Sequence, residues 1–241
     1  MYPRALFGFL WRRGALDEHG DSYVITFRTF FARLLLSAPV VFLPLSQSSA
    51  QSATSADSVY AGLVTRLRAG DTTVDFAAMR MAYAHSTLYD PMSASRTALR
   101  QRLNAAFGAG DARTAAARAD TLLAGNYTDI SAHVIRSTLA QQLRDAPQAT
   151  HHASVARRLV RSLDIEHRGA SSVAPILVID PEEENVYGLV TGLERTSRYT
   201  TAQCGQRVCD STVFHNPRTG RDTTIVFDVT LIAERSIGWK P

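Results

Sequence analysis

Lysine is almost missing from this chain of 241 residues: Lys240 is the only one, so arginine carries nearly all the positive charge. That bias could serve phosphate recognition, but more often it reflects codon usage. The formal net charge is +4, of which residues 1–50 supply +2 through five Arg against three acids. The +2 left for the rest selects no polyanionic partner, so no nucleic acid is expected. Cysteine is nearly as scarce. Cys204 and Cys209 alone allow one disulfide, a metal half-site or two free thiols. The most apolar stretch, Leu34 to Leu45, runs for about a dozen residues where a membrane helix needs roughly 20, and Pro39 and Pro44 interrupt it.

The usual catalytic fingerprints are wanting too. Gly108-Ala-Gly110 has no third glycine and follows a helical pattern, which argues against a dinucleotide loop. Neither a phosphate-binding loop nor a nucleophile elbow occurs. Of the seven histidines, His151 and His152 are adjacent and so lie about 100° apart around a helix, which keeps them from facing one ion together. His133 reads as a core or turn histidine bonding near Asp129 or Tyr127. No cofactor, no metal and no assignable catalytic residue are expected.

What is present is helical periodicity. From Leu99 to Leu163 apolar residues recur at helical spacing: Leu99, Leu103, Phe107; Ala115, Ala119, Leu122, Leu123; Ile135, Leu139, Leu143; Val155, Leu159, Leu163. Joints fall at Gly108–Asp111, Gly125–Asp129 and Asp145–Pro147. Asp111 and Asp145 are 34 residues apart, the repeat length of tetratricopeptide units. Upstream, Asp57 is placed to cap a helix bearing Tyr60, Leu63, Val64 and Leu67, and Asp75 to cap one bearing Phe76, Met79 and Tyr83. That helix ends before Thr87-Leu88-Tyr89-Asp90-Pro91, where proline disfavours helix in the preceding residue.

Downstream, Ile176–Ile179 reads as a short buried strand. Asp180-Pro181 opens a helix with Glu182, Glu183 and Glu184 in its first turn, a position that favours the helix dipole and reads as solvated. Gly192 ends it. Arg195–Gln203, Val208–Asn216 and Thr223–Ile232 then alternate as strands of an antiparallel β-meander. The fold class is α+β: a tetratricopeptide-like helical hairpin array followed by a small C-terminal α+β region.

Residues 26–50 read as a secretory signal. Arg28 and Arg33 lead the apolar run, and Ser48-Ser49-Ala50 offers a cleavage site. Met1 to Tyr23 precedes it unusually, and synthesis starting near Val24 accounts for that. The organisation expected is therefore 1–50 as extension and signal, 51–56 as a flexible mature terminus, 57–166 as the helical region and 167–241 as the α+β region. The mature chain would be periplasmic or extracellular, with no stable membrane span. In that oxidising setting Cys204 and Cys209, flanking Gly205, are expected to form a disulfide across a hairpin turn.

Three segments resemble a known family, the domain of unknown function 4919. They are Asp75-Phe76 through Met79-Arg80, Tyr83 and Tyr89-Asp90-Pro91; the residues Asn126, Asp129, Ile130 and His133; and Ile179 through Glu183-Glu184 to Gly192-Leu193. Thr219-Gly220 and Phe227-Asp228-Val229 also fit, while Asn185 and Cys209 stand where that family carries aromatics. The resemblance implies an exported protein of helices followed by a small sheet, and no established activity.

Two clusters suggest function. Tyr83, His85, Tyr89 and Asp90 gather aromatics and titratable groups at one helix end, as in a binding pocket or in a packed terminus. Glu182 to Glu184 could serve as acid or base, or bind a cation, if turned into a cleft. The reading is a non-catalytic interaction or envelope-accessory module with a protein or peptide partner in the envelope; the alternative is a secreted hydrolase. Mass spectrometry of the protein from its producing cell is expected to find the N-terminus at Gln51; a mature chain retaining Phe30 to Leu45 would overturn the export reading.

Overall fold

The structure, a computed structural model, describes residues 47–71, 73–163, 168–196 and 200–239. The expected signal, up to residue 46, and Lys240 lie outside the described residues. The described residues from 49 onward form one compact unit. Its class is α+β: among the described residues there are eight helices and one small mixed sheet. None of those helices is long and apolar enough to cross a membrane.

The helical part comprises α1 (Gln47–Arg68), α2 (Phe76–Ala84), α3 (Ala94–Gly108), α4 (Ala112–Gly125), α5 (Ile130–Gln142) and α6 (Ala146–Arg161). Four of these start in the same way. Asp75, Asp111, Asp129 and Asp145 each accept a hydrogen bond from the backbone N–H three residues on, satisfying one of the donors a helix start leaves open. From α3 to α6 each helix packs against the next. The faces are those the spacing marks: Leu103, Ala115, Ala119, Leu122, Leu139, Val155 and Leu159 are all buried. Leu99, Phe107 and Ile135 are partly buried against that core, and Leu143 is 41% exposed beyond the end of α5.

The first helix differs from expectation. It runs from Gln47, ten residues before Asp57, because no glycine or proline interrupts that stretch. Asp57 therefore caps nothing. Its carboxylate accepts from Thr87 N and Thr87 Oγ1, both at 2.7 Å, and ties α1 to the turn after α2.

After α6 come β1 (Ile176–Leu177), α7 (Glu182–Thr191), β2 (Glu194–Arg195), β3 (Thr200–Cys204), β4 (Arg207–Asn216), β5 (Arg221–Asp228) and α8 (Thr230–Ile237). Strand β4 pairs antiparallel with β2, β3 and β5, while β1 pairs parallel with β5, Ile176 opposite Phe227. The sheet is thus mixed, where an antiparallel meander is expected. The chain reaches β1 long before β5 and lays it along the far edge, a pairing that no local turn announces. The last strand is also shorter than its alternation suggests. Asp228 Oδ1 accepts from Thr230 N at 3.0 Å, and that turn starts α8 where a strand is expected to continue to Ile232.

Helix α7 packs on the sheet through Tyr187, whose ring lies 5.1 Å from Phe214 and 5.7 Å from Phe227. Gly188 makes that approach possible: a Cβ there would stand 3.0 Å from Leu193 O and 3.1 Å from the Phe214 ring.

Cys204 and Cys209 are joined by a disulfide, with Cα atoms 5.9 Å apart. They are diagonal neighbours on one face of the β3–β4 hairpin, since Cys204 stands opposite Arg207 and Cys209 opposite Ala202. Gly205, with φ of +67°, makes the turn between them. Closing so short a loop contributes about 2 kcal/mol on the chain-entropy model. Titration of the unfolded, unreduced protein is expected to find no thiol, and reduction to lower stability by about that amount; two reactive thiols per chain would refute the bridge.

Candidate functional site

The charged residues of greatest consequence lie inside. Helix α2 presents Phe76, Met79, Arg80 and Tyr83 on one face, all buried. Burying a guanidinium without partners is prohibitive, and Arg80 has a partner at each of its three nitrogens. It donates from Nε to Glu183 Oε1 (3.0 Å), from Nη2 to Glu183 Oε2 (2.7 Å) and to Leu177 O (3.0 Å), and from Nη1 to Ser162 O (3.3 Å). Glu183 Oε2 also accepts from Ile179 N at 2.8 Å. One bidentate pair thereby ties α2, the end of α6, β1 and α7 together.

Beside it, the starts of α5 and α7 face a cleft of about 10 Å³, room for about one water molecule. Thr128, Asp129, Ser131, Asp180 and Glu182 contribute its polar wall. Arg100 on α3 holds Asp129 with Nη2 at 2.6 Å, while Asp129 keeps its capping bond to Ala132 N. Arg96 donates to Tyr83 Oη at 2.9 Å. Asp180 is less well served: Oδ1 accepts from Glu182 N at 3.0 Å, but Oδ2, 3.3 Å from Arg96 Nη2, lacks an aligned donor. Burial, and then the charge of Asp129, push the Asp180 carboxyl up to about 7 against the pull of Arg96 and Arg100.

A histidine pair lies between α5 and α6. His133 is fully buried and its Nε2 is 3.0 Å from Tyr127 O, so Nε2 carries the proton, because a carbonyl only accepts. His133 Nδ1 then accepts, and His152 Nδ1, 2.8 Å away, donates. His151 Nε2 meets the Tyr127 hydroxyl at 2.8 Å. Burial first, and then a neighbouring imidazole, hold both His133 and His152 below the ordinary histidine range. Both rings are neutral at neutral pH and serve as a buried hydrogen-bonded joint, as the reading of His133 anticipates. Among the described residues no three His, Cys, Asp or Glu side chains are grouped to hold a metal ion.

The residues expected to form a pocket are separated by burial. Tyr83 and Tyr89 are in the core with rings 5.6 Å apart, and Tyr89 Oη donates to Ile179 O at 3.0 Å. His85 and Asp90 are exposed. The glutamate run is divided as well. Glu182 is partly exposed, whereas Glu183 and Glu184 are each 3% exposed, not solvated, because Arg80 and Arg195 reach them from other elements. Arg80, Arg96, Arg100 and Asp180 escape a reading by motif. One signal for Arg80 does exist: it stands four residues after Phe76, within the apolar face of α2, where a charge must have a buried partner.

No family model, curated protein or solved structure matches this chain.

The Arg80–Glu183 pair makes a prediction. Arg80→Ala strands a buried carboxylate and is expected to cost about 3–5 kcal/mol in denaturant unfolding, whereas Arg80→Met with Glu183→Leu removes both charges and costs much less. Equal losses from the single and the double variant would show that packing, not the ion pair, dominates there.

Proposed function

We propose that this chain is a non-catalytic interaction module acting in the cell envelope or outside the cell, and that the turn between α2 and α3 is its binding surface. One observation carries the proposal. Leu88 and Met92 are 56% and 53% exposed on a turn fastened from three directions. Thr87 is held by Asp57 of α1, Tyr89 Oη reaches Ile179 O, and Arg235 of α8 donates to Tyr89 O at 2.9 Å. Apolar side chains held out on a rigid turn offer area without an ordering cost, the condition under which a small surface binds a protein or peptide. Exposed His85 and Asp90 flank them and supply a polar rim. The buried members of the expected pocket, Tyr83 and Tyr89, would then act by holding the turn rather than by touching the partner.

The 34-residue spacing of Asp111 and Asp145, with α3 to α6 packed in sequence, supports a tetratricopeptide-like stack as the scaffold. The disulfide supports an oxidising compartment. Membership of the domain of unknown function 4919 family is part of the same proposal. Arg80, Asp129, His133 and Glu183, which carry that resemblance, are all buried here and hold the frame. A secreted hydrolase is the second reading, favoured by the raised Asp180 carboxyl beside Ser131 in a water-sized cleft.

Native purification of the exported protein is expected to recover a partner that Leu88→Asp with Met92→Asp loses by about tenfold or more, with the melting temperature little changed. A partner retained by the double variant would move the surface elsewhere. Hydrolysis of an ester, peptide or glycan probe by the wild type, lost in Asp180→Asn, would replace the module with the hydrolase.

A further inference from the structure

Helix α7 meets the sheet through two acids. Glu184 of α7 and Asp210 of β4 are 3% and 6% exposed, and the two acids are neighbours, the charge of Asp210 acting directly on the Glu184 carboxyl. Two carboxylates buried side by side have only acceptors to offer and repel, so one proton between them relieves the pair.

The surroundings supply one positive charge. Arg195 of β2 donates from Nη2 to Glu184 Oε2 at 2.9 Å, with its own side chain 31% exposed. Thr201 of β3 donates from Oγ1 to Asp210 Oδ1 at 2.6 Å. On β5 the residue opposite Asp210 is Phe227, which brings no charge. Glu183, the neighbour on α7, is turned to Arg80. With one proton the group Glu184, Asp210 and Arg195 is neutral; without it a net negative charge is confined in a buried site.

We propose that the protein carries a proton-operated latch: α7 is fastened to β4 by a proton shared between Glu184 and Asp210, and α7 loosens from the sheet when that proton leaves. The helix so released also bears Glu183, the partner of Arg80, and lines the cleft with Glu182 and Val186. Loosening therefore reaches both the clamp on α2 and the cleft at α5.

The sign of the effect follows from linkage. Burial, and then the charge of Asp210, push the Glu184 carboxyl up to about 7 in the closed form, while the opened pair returns to ordinary carboxylate values. Opening therefore releases a proton, and the opening constant rises with pH by up to about tenfold per unit across the window from the ordinary carboxylate range to about 7.

Amide hydrogen exchange of Tyr187 to Thr191, normalised to intrinsic rates at each pH, reads that constant directly. The wild type should show the rise, and Asp180→Asn, which leaves the pair intact, should keep it. Glu184→Gln and Asp210→Asn, in which an amide N–H replaces the shared proton, should flatten it. A flat wild-type profile, or a wild-type slope in both amide variants, overturns the latch. Infrared spectra of the Asp180→Asn protein decide independently of any change in the pair. A protonated-carboxyl band should persist at about pH 6, above the range of an ordinary carboxylate, and its absence overturns the proposal.

Discussion

A guanidinium withdrawn from water must find acceptors for its donors, and Arg80 finds them on the carbonyls and carboxylate of three other segments. None of those segments is near it in the chain: Ser162, Leu177 and Glu183 follow it by 82, 97 and 103 residues. The helical region and the sheet region are therefore one construction. Helix α2 cannot keep Arg80 buried unless the end of α6, the start of β1 and the first turn of α7 converge on it. Breaking the pair from either side leaves a charge where water cannot reach.

The same logic recurs around this clamp with different chemistry. Asp129 both caps α5 and binds Arg100 of α3, so a local helix signal doubles as a link between helices. His133 and His152 join α5 to α6 as neutral rings, each supplying what the other lacks, one acceptor and one donor. Tyr60 of α1 accepts from Tyr127 N, and Tyr89 donates to Ile179 O, so phenol hydroxyls close backbone groups that no helix or strand satisfies. Polar groups here connect elements, and their pairing draws them away from solvent. That use of charge braces the elements against one another.

The bracing also explains why the turn after α2 can carry exposed apolar side chains. Leu88 sits between Thr87 and Tyr89, both of them fixed by bonds to other elements, so it cannot fold back into the core to escape water. A surface held in this way differs from a loop that happens to expose a leucine, because its geometry is inherited from α1, α8 and the residues before α7.

Local rules reach a definite depth in this chain. The aspartate caps, the apolar spacing of α3 to α6, the Gly205 turn and the pairing of Cys204 with Cys209 are legible because each involves residues a few positions apart. Helix and hairpin hydrogen bonds close over that same range. Several outcomes lay beyond such rules. Glu183 and Glu184 read as a solvated first turn, and only Arg80, Arg195 and Asp210, brought from elsewhere, make them interior. Tyr83 and Tyr89 went to the core while His85 and Asp90 stayed outside, although all four share one helix end. The parallel pairing of β1 with β5 joins residues some 50 positions apart, as Ile176 and Phe227 show. Whether a charge is buried depends on the partner that meets it, and chain neighbours do not specify that partner. The sequence by itself determined the aspartate-capped starts of α2, α4, α5 and α6 and which faces are apolar; only the tertiary structure decided which acids and bases would be held inside.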